Sequence, residues 1–185
     1  MMRSSIGRRE LPYEPAGPTG PWPARTTDHG TIPEGMMTAR LTVLFLCTGN
    51  YYRSRHAEIV FDHHAQAAGL PWRAASRGLA IELGVNNVGP LSKATAARLA
   101  ALAIPHEPYV RFPMPVTEAD LANAHLVVAL KESEHRPLMT ERFPGWVERV
   151  EYWTVHDLDA ATPEQALPEI EERVRALVAR LQMPS

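Results

Sequence analysis

The chain has 185 residues, of which 45% are apolar and 22% charged, and a net charge of −2 at neutral pH. That balance belongs to a folded chain with a real core and gives no support to nucleic-acid or membrane-surface binding. Cys47 is the single cysteine, which excludes an intrachain disulfide and a cysteine-rich zinc site.

The eight histidines are scattered and suggest no metal site. A lone cysteine fits a reducing compartment, no apolar run reaches membrane-spanning length, and the expected location is the cytoplasm. Arg8 and Arg9 are not followed by the apolar stretch that an export signal requires.

The first 35 residues hold Pro12, Pro15, Pro18, Pro21, Pro23 and Pro33 with five glycines among them. Such a segment can neither propagate a helix nor supply a sheet with donors, and it has little to bury. The expectation is a disordered Pro/Gly-rich extension over residues 1–40 and a folded domain over 41–185. The alternative is that translation starts at Met36 or Met37.

Order begins at Leu41. Val43 to Leu46 is a continuous apolar run, as expected of a strand buried on both faces. It ends in Cys47-Thr48-Gly49-Asn50, and a helical pattern follows from Ser54 to Ala68, with Ala57, Val60, Phe61, Ala65 and Ala68 on one face. Arg73 to Ser76 reads as a second strand. Ser92 is placed to cap a helix carrying Leu99 and Leu102 that stops before Pro105.

Thr117 and Asp120 frame a short helix, Leu126 to Leu130 repeats the buried-strand pattern, and a helix runs through Glu134. A loop at Phe143-Pro144-Gly145 leads to a last strand over Val150–Val155. Thr162-Pro163-Glu164-Gln165 combines a cap, a first-turn proline and a reciprocal glutamine. The helix behind it sets Ile170, Val174, Leu177, Val178 and Leu181 on one stripe. Strands alternating with helices predict an α/β fold, mostly parallel, with helices on both faces of the sheet. In such folds ligands sit at the carboxyl ends of the strands, which is where Cys47 falls.

The segment from Cys47 to Ser54 joins a strand to a helix, so its backbone N–H groups are placed to curl around an oxyanion ahead of the helix N-terminus. Gly49 offers close approach and unusual dihedrals, while Asn50 tolerates a left-handed conformation. Arg53 supplies a planar fork suited to two phosphate oxygens. The same positive surroundings favour the Cys47 thiolate as nucleophile. Ser54 is placed to donate to the sulfur and ease its departure. Tyr51 and Tyr52 bring aromatic surface to the loop. The blander reading is a buried structural cysteine after a strand; the full Cys, Gly-Asn, Arg-Ser context favours chemistry.

Val43 to Asn50, then Arg53-Ser54 and Ala57-Glu58, resembles the low-molecular-weight protein tyrosine phosphatase family, which also includes thiol-coupled arsenate reductases. Ser76-Arg77-Gly78 is similar to the family's Ser-Ala-Gly stretch. Trp153 to Leu158 is similar to its late segment ending in Asp-Pro. The resemblance implies a flavodoxin-like three-layer sandwich with a central four-stranded parallel sheet, no cofactor and no metal. It further implies a cysteinyl-phosphate intermediate, with Cys47 as nucleophile, Arg53 as clamp and residues 48–54 holding the phosphate.

Asp157 matches the family's general acid. A carboxyl beside a bound anion has a raised pKa, and a phenolic or alkoxide leaving group needs its proton. Asp159, two residues on, is the alternative. Three departures stand out. Leu158 replaces the family's proline, no aromatic residue follows Asp157, and Tyr52 stands where many members carry a second cysteine. His56, His63 and His64 read as solvated or hydrogen-bonded side chains, and His156 is notable only as the neighbour of Asp157.

The leading expectation is therefore hydrolysis of a phosphate monoester, on a phosphorylated protein or a small molecule, with phosphotyrosine the family default. Arsenate reduction relying on an external thiol or glutaredoxin is one alternative. A non-catalytic phosphate- or phosphoprotein-binding module is the other, though pure binding needs neither thiolate nor acid.

Overall fold

The computed structural model describes residues 40–84, 87–155 and 163–183. Among them, the first strand is β1 (Leu41–Cys47), followed by α1 (Arg53–Ala67), β2 (Trp72–Gly78) and α2 (Lys93–Ala101). Next come α3 (Glu118–Asn123), β3 (Leu126–Ala129), α4 (Glu132–Arg142), β4 (Glu151–Tyr152) and α5 (Pro163–Gln182). The strands form one parallel sheet in the order β2-β1-β3-β4. The expected α/β fold with a four-stranded parallel sheet is what the chain adopts.

β1 explains the three layers. Side chains alternate across a strand, and Val43 and Phe45 enter one hydrophobic cluster while Leu44 and Leu46 enter another. The first cluster is completed by α1 and α5, through Val60, Phe61, Ile170 and Val174, all fully buried. The second is closed by Leu121 of α3 and Met139 of α4. A strand buried on both faces has no polar side to show, hence its unbroken apolar run.

Helix α5 carries its predicted stripe: Ile170, Val174, Leu177 and Val178 are buried and Leu181 packs against them. A polar clamp pins it. Glu171 accepts from Arg98 of α2 through Nε and Nη2, both at 2.8 Å, and meets His56 Nε2 of α1 at 3.0 Å. Thr162, the cap proposed for this helix, lies outside the described residues. Thr117 and Asp120 form the reciprocal capping box expected at the start of α3.

Several details depart from the sequence reading. Ser92 flanks α2 but its side chain makes no capping bond. Leu102, expected on that helix with Leu99, is its C-cap and 37% exposed, while the helix does stop before Pro105. The last strand is confined to Glu151–Tyr152. Beyond it the Trp153 N–H still donates to the Ala129 carbonyl at 2.8 Å, but Lys131 meets Thr154 in an isolated antiparallel bridge and the regular parallel ladder ends. Helix α1 is buried almost all round over its first ten residues, taking Arg55, His56, Glu58 and Asp62 inside with its apolar face. No helix among the described residues is long and apolar enough to cross a membrane.

Candidate active site

Parallel pairing sets where chemistry can gather. Cys47 closes β1 in register with Gly78 at the end of β2, and Leu130 continues the ladder on the other side by donating to the Leu46 carbonyl. Three strand ends thus surround the loop of residues 48–52 that leads into α1. Gly78 is there for space. A Cβ on it would lie 2.9 Å from the Thr48 carbonyl oxygen, 3.1 Å from Asn50 N and 2.5 Å from Ile81 Cγ2. Contacts that short to backbone cannot be relieved by turning a side chain.

Within the loop, Asn50 carries the left-handed conformation, with φ of 48°. Gly49, for which unusual dihedrals were expected, does not adopt that conformation; a Cβ there would instead meet Asn87 Nδ2 at 3.1 Å. The amide of Asn50 is oriented by its partners. Its Oδ1 faces two groups that can only donate, Arg111 Nη1 and the Met114 N–H, both at 3.0 Å. Its Nδ2 must therefore donate to Ser54 Oγ at 3.1 Å and Ser76 Oγ at 2.9 Å.

The direction of the remaining bonds follows. Ser76 passes its own proton to Glu58 Oε2 at 2.6 Å, since a carboxylate accepts only. Ser54 Oγ, already accepting from Asn50, has its proton to offer to Cys47 Sγ, 3.0 Å away. The backbone N–H of Asn50 adds a second donor to the sulfur at 3.2 Å. Cys47 is buried, so an anionic sulfur there would rely on these two donors in place of water. Arg111 closes the circuit by also donating through Nη2 to Glu58 and to the Ser76 carbonyl. Glu58 belonged to the motif read from the sequence, and Ser76 to its Ser-Arg-Gly stretch. Arg111 left no local signal at all, because its contacts lie 35 to 61 residues away in the chain.

A small cavity of about 190 Å³ opens over the sulfur, lined by Cys47, Gly49, Tyr51, Tyr52, Arg53, Asn87 and Ser92. The two tyrosines divide their work. Tyr52 is buried against the core beneath the loop, whereas the Tyr51 hydroxyl reaches outward to the Val88 carbonyl at 2.6 Å. Arg53 shares the cavity wall with Cys47. A larger cavity, about 1060 Å³, lies past α1 among Asp62, Arg73, Tyr109 and Arg111; neither Cys47 nor Arg53 lines it, and it reaches the network behind the loop through Glu58 and Arg111. Burial raises the carboxyl of Asp62 there to about 6, against the bonds from Ala74 N and Tyr109.

Arg53 also carries a partner that the sequence did not announce. Glu134, in the first turn of α4, receives Nη1 at 3.1 Å and Nη2 at 3.0 Å. It also accepts from the Thr48 hydroxyl. Burial alone would raise the Glu134 carboxyl, but the nearby His135 ring and hydrogen bonds from Arg53 and Thr48 outweigh it and hold the group well below the usual carboxylate range. Asp157, Asp159 and His156 lie outside the described residues. The chain just before them is anchored by the Val155 N–H, which donates to the Leu130 carbonyl at 3.0 Å. Among the described residues no cluster of three or more histidine, cysteine or acidic side chains could hold a metal ion.

A parallel α/β sandwich whose first strand delivers a cysteine into a loop ahead of a helix is the layout of cysteine-dependent phosphatases. The chain belongs to the low molecular weight phosphotyrosine protein phosphatase family, whose model matches residues 42–184. It is thus an enzyme of a hydrolase family that acts on phosphorylated proteins. One relative is the protein-arginine-phosphatase of Bacillus subtilis, 29% identical over 153 residues, which span 76% of this chain and 97% of the relative. The fold is similar to a low molecular weight protein tyrosine phosphatase from Bacillus subtilis, with TM-score 0.62 and 23% identity over 77% of this chain and 97% of that one. It is also similar to the corresponding phosphatase of T. tengcongensis, with TM-score 0.58 and 24% identity over 76% and 97%.

Proposed function

We propose that the protein removes phosphoryl groups from protein side chains through a cysteinyl-phosphate intermediate. Cys47 is the nucleophile, Arg53 the clamp, residues 48–54 the phosphate loop and Asp157 the general acid, with Asp159 its alternative. The observation that carries this reading is the Ser54–Cys47 contact of 3.0 Å beside a cavity that Cys47 and Arg53 both line.

In the first step the sulfur attacks phosphorus in line, the bond to the leaving group breaks (P–O in phosphotyrosine, P–N in phosphoarginine), and the acid protonates the departing atom. In the second, the same carboxyl, now ionised, takes a proton from water as the water oxygen attacks phosphorus. The S–P bond breaks, inorganic phosphate departs, and the sulfur leaves with its charge received by the Ser54 hydroxyl and the Asn50 N–H. The Asn50 network keeps both donors in place, so no reorganisation is needed as charge returns to sulfur.

Phosphotyrosine is the substrate the family's name supports. Phosphoarginine is the second reading, favoured by the named activity of the Bacillus subtilis relative. Turnover of phosphotyrosine and phosphoarginine peptides by wild type, Cys47→Ser and Asp157→Ala tests both. Hydrolysis of either, abolished in Cys47→Ser, supports the mechanism, and the ratio of kcat/KM values assigns the substrate. Full activity in Cys47→Ser overturns it.

A further inference from the structure

Arg53 lines the cavity above Cys47, but the tip of its guanidinium points to α4, where Glu134 receives it as a two-pronged end-on fork with bonds of 3.1 and 3.0 Å. Such a fork takes one N–H from each η nitrogen, a different edge of the guanidinium from the one carrying Nε. The Thr48 hydroxyl, on the opposite shoulder of the loop, donates to the same carboxylate. One side chain from a separate element thus grips the phosphate loop at two points, residues 48 and 53.

The carboxylate is itself fixed. Lys131 Nζ lies 3.9 Å from Oε2 and His135 Nε2 lies 3.7 Å from Oε1. His135 Nδ1 accepts the Lys131 backbone N–H at 3.0 Å, so the proton of the neutral ring sits on Nε2, the nitrogen that faces Glu134. The backbone beneath is tied as well, because the N–H of Leu130 donates to Leu46 and that of Glu132 to Trp153. Glu134 therefore rides on the same strand ends that carry the loop.

Desolvation offsets much of what a largely buried ion pair adds to stability, whereas holding a long, flexible arginine in one rotamer bears directly on catalysis. We infer that Glu134 is a positioning residue: its carboxylate holds the Arg53 guanidinium and the Thr48 hydroxyl in the geometry that receives the phosphoryl group. This rests on the phosphatase reading of the loop. It extends the site to α4, a helix that supplies no side chain to the cavity.

The test compares wild type, Glu134→Ala, Glu134→Gln, Arg53→Lys and the Glu134→Ala/Arg53→Lys pair, each checked for folding by thermal melting. The readouts are kcat and KM on an aryl phosphate and competitive inhibition by inorganic phosphate. Misplacement of a catalytic group by about 1 Å can cost on the order of 10²-fold, so Glu134→Ala is expected to lower kcat/KM roughly 10–100-fold and to weaken phosphate inhibition. Glu134→Gln keeps the shape and one acceptor oxygen and should recover part of that loss. In the Arg53→Lys background the further loss should shrink to within about threefold, since two residues acting through one contact are not additive.

Unchanged kcat/KM in Glu134→Ala, with Arg53→Lys severe, overturns the inference alone. Tighter phosphate binding in Glu134→Ala would make Glu134 a competitor for Arg53 and also overturns it. If Arg53→Lys itself is harmless, the phosphatase reading falls and the inference with it.

Discussion

Replacing Asn50 separates what its backbone and its side chain contribute. The residue is fully buried, holds φ of 48°, and its amide makes four hydrogen bonds, to Ser54, Ser76, Arg111 and Met114. At about 0.5–1.5 kcal/mol net for each bond, losing all four costs on the order of 2–6 kcal/mol. Alanine adds the steric cost of a left-handed residue, roughly 1–2 kcal/mol. Glycine avoids that strain but loses about 0.5–1 kcal/mol through extra freedom in the unfolded chain. Asn50→Gly should therefore be the more stable of the two by up to ~1.5 kcal/mol, with both well below wild type.

Urea unfolding of the three proteins gives these differences. Aryl phosphate turnover below the transition shows whether Ser54, deprived of the amide that orients it, still serves the sulfur. Turnover is expected to fall in both variants even where they are fully folded. If Asn50→Ala unfolds within about 1 kcal/mol of wild type, fewer than the expected bonds are being lost and the network does not hold the loop.

Other outcomes follow from the same geometry. Gly78→Ala drives a methyl into the backbone of Thr48 and Asn50, and should cost roughly 1–3 kcal/mol and most of the turnover; calorimetry and an aryl phosphate assay check both. Asp157→Ala should slow poor leaving groups about 10²–10⁴-fold while sparing activated aryl phosphates; equal losses would pass the role to Asp159. Burial would raise the Glu171 carboxyl, but the bonds from Arg98 and His56 win and depress it to about 2, from 4.5. Because the folded pKa is the lower one, the folded state binds fewer protons than the unfolded chain in that interval, so this contribution is present above pH 4.5 and lost as pH falls toward 2. Glu171→Gln should flatten that acid limb in unfolding titrations.

The strand, loop and helix around Cys47 were readable because each obeys a local rule. A strand buried on both faces shows as an unbroken apolar run, Asn50 is one of the few residues suited to a left-handed position, and Arg53-Ser54 open the helix. What escaped was whatever depends on distant partners. Arg55, His56, Glu58 and Asp62 fall off the apolar stripe of α1 and would pass as its wet side, yet all are buried. Glu58 and Asp62 meet groups from β2 and residues 109–111, and His56 meets α5. Glu134 looked like any charge on an exposed helix turn, and only the parallel order of β1 and β3 brings it to Arg53. The last strand was overread because Val150–Val155 has β-type composition throughout, while the regular parallel ladder ends at Tyr152 and gives way to isolated bonds from Trp153 and Val155.

The covalent intermediate is the centre of the mechanism, and rapid acid quench with a substrate labelled in its phosphoryl group addresses it most directly. Wild type should yield labelled protein within the first turnover, with the label on the peptide carrying Cys47. Asp157→Ala should accumulate less with a poor leaving group, and Cys47→Ser should release no phosphate catalytically. Steady turnover without label on Cys47, undiminished in Cys47→Ser, would contradict the account.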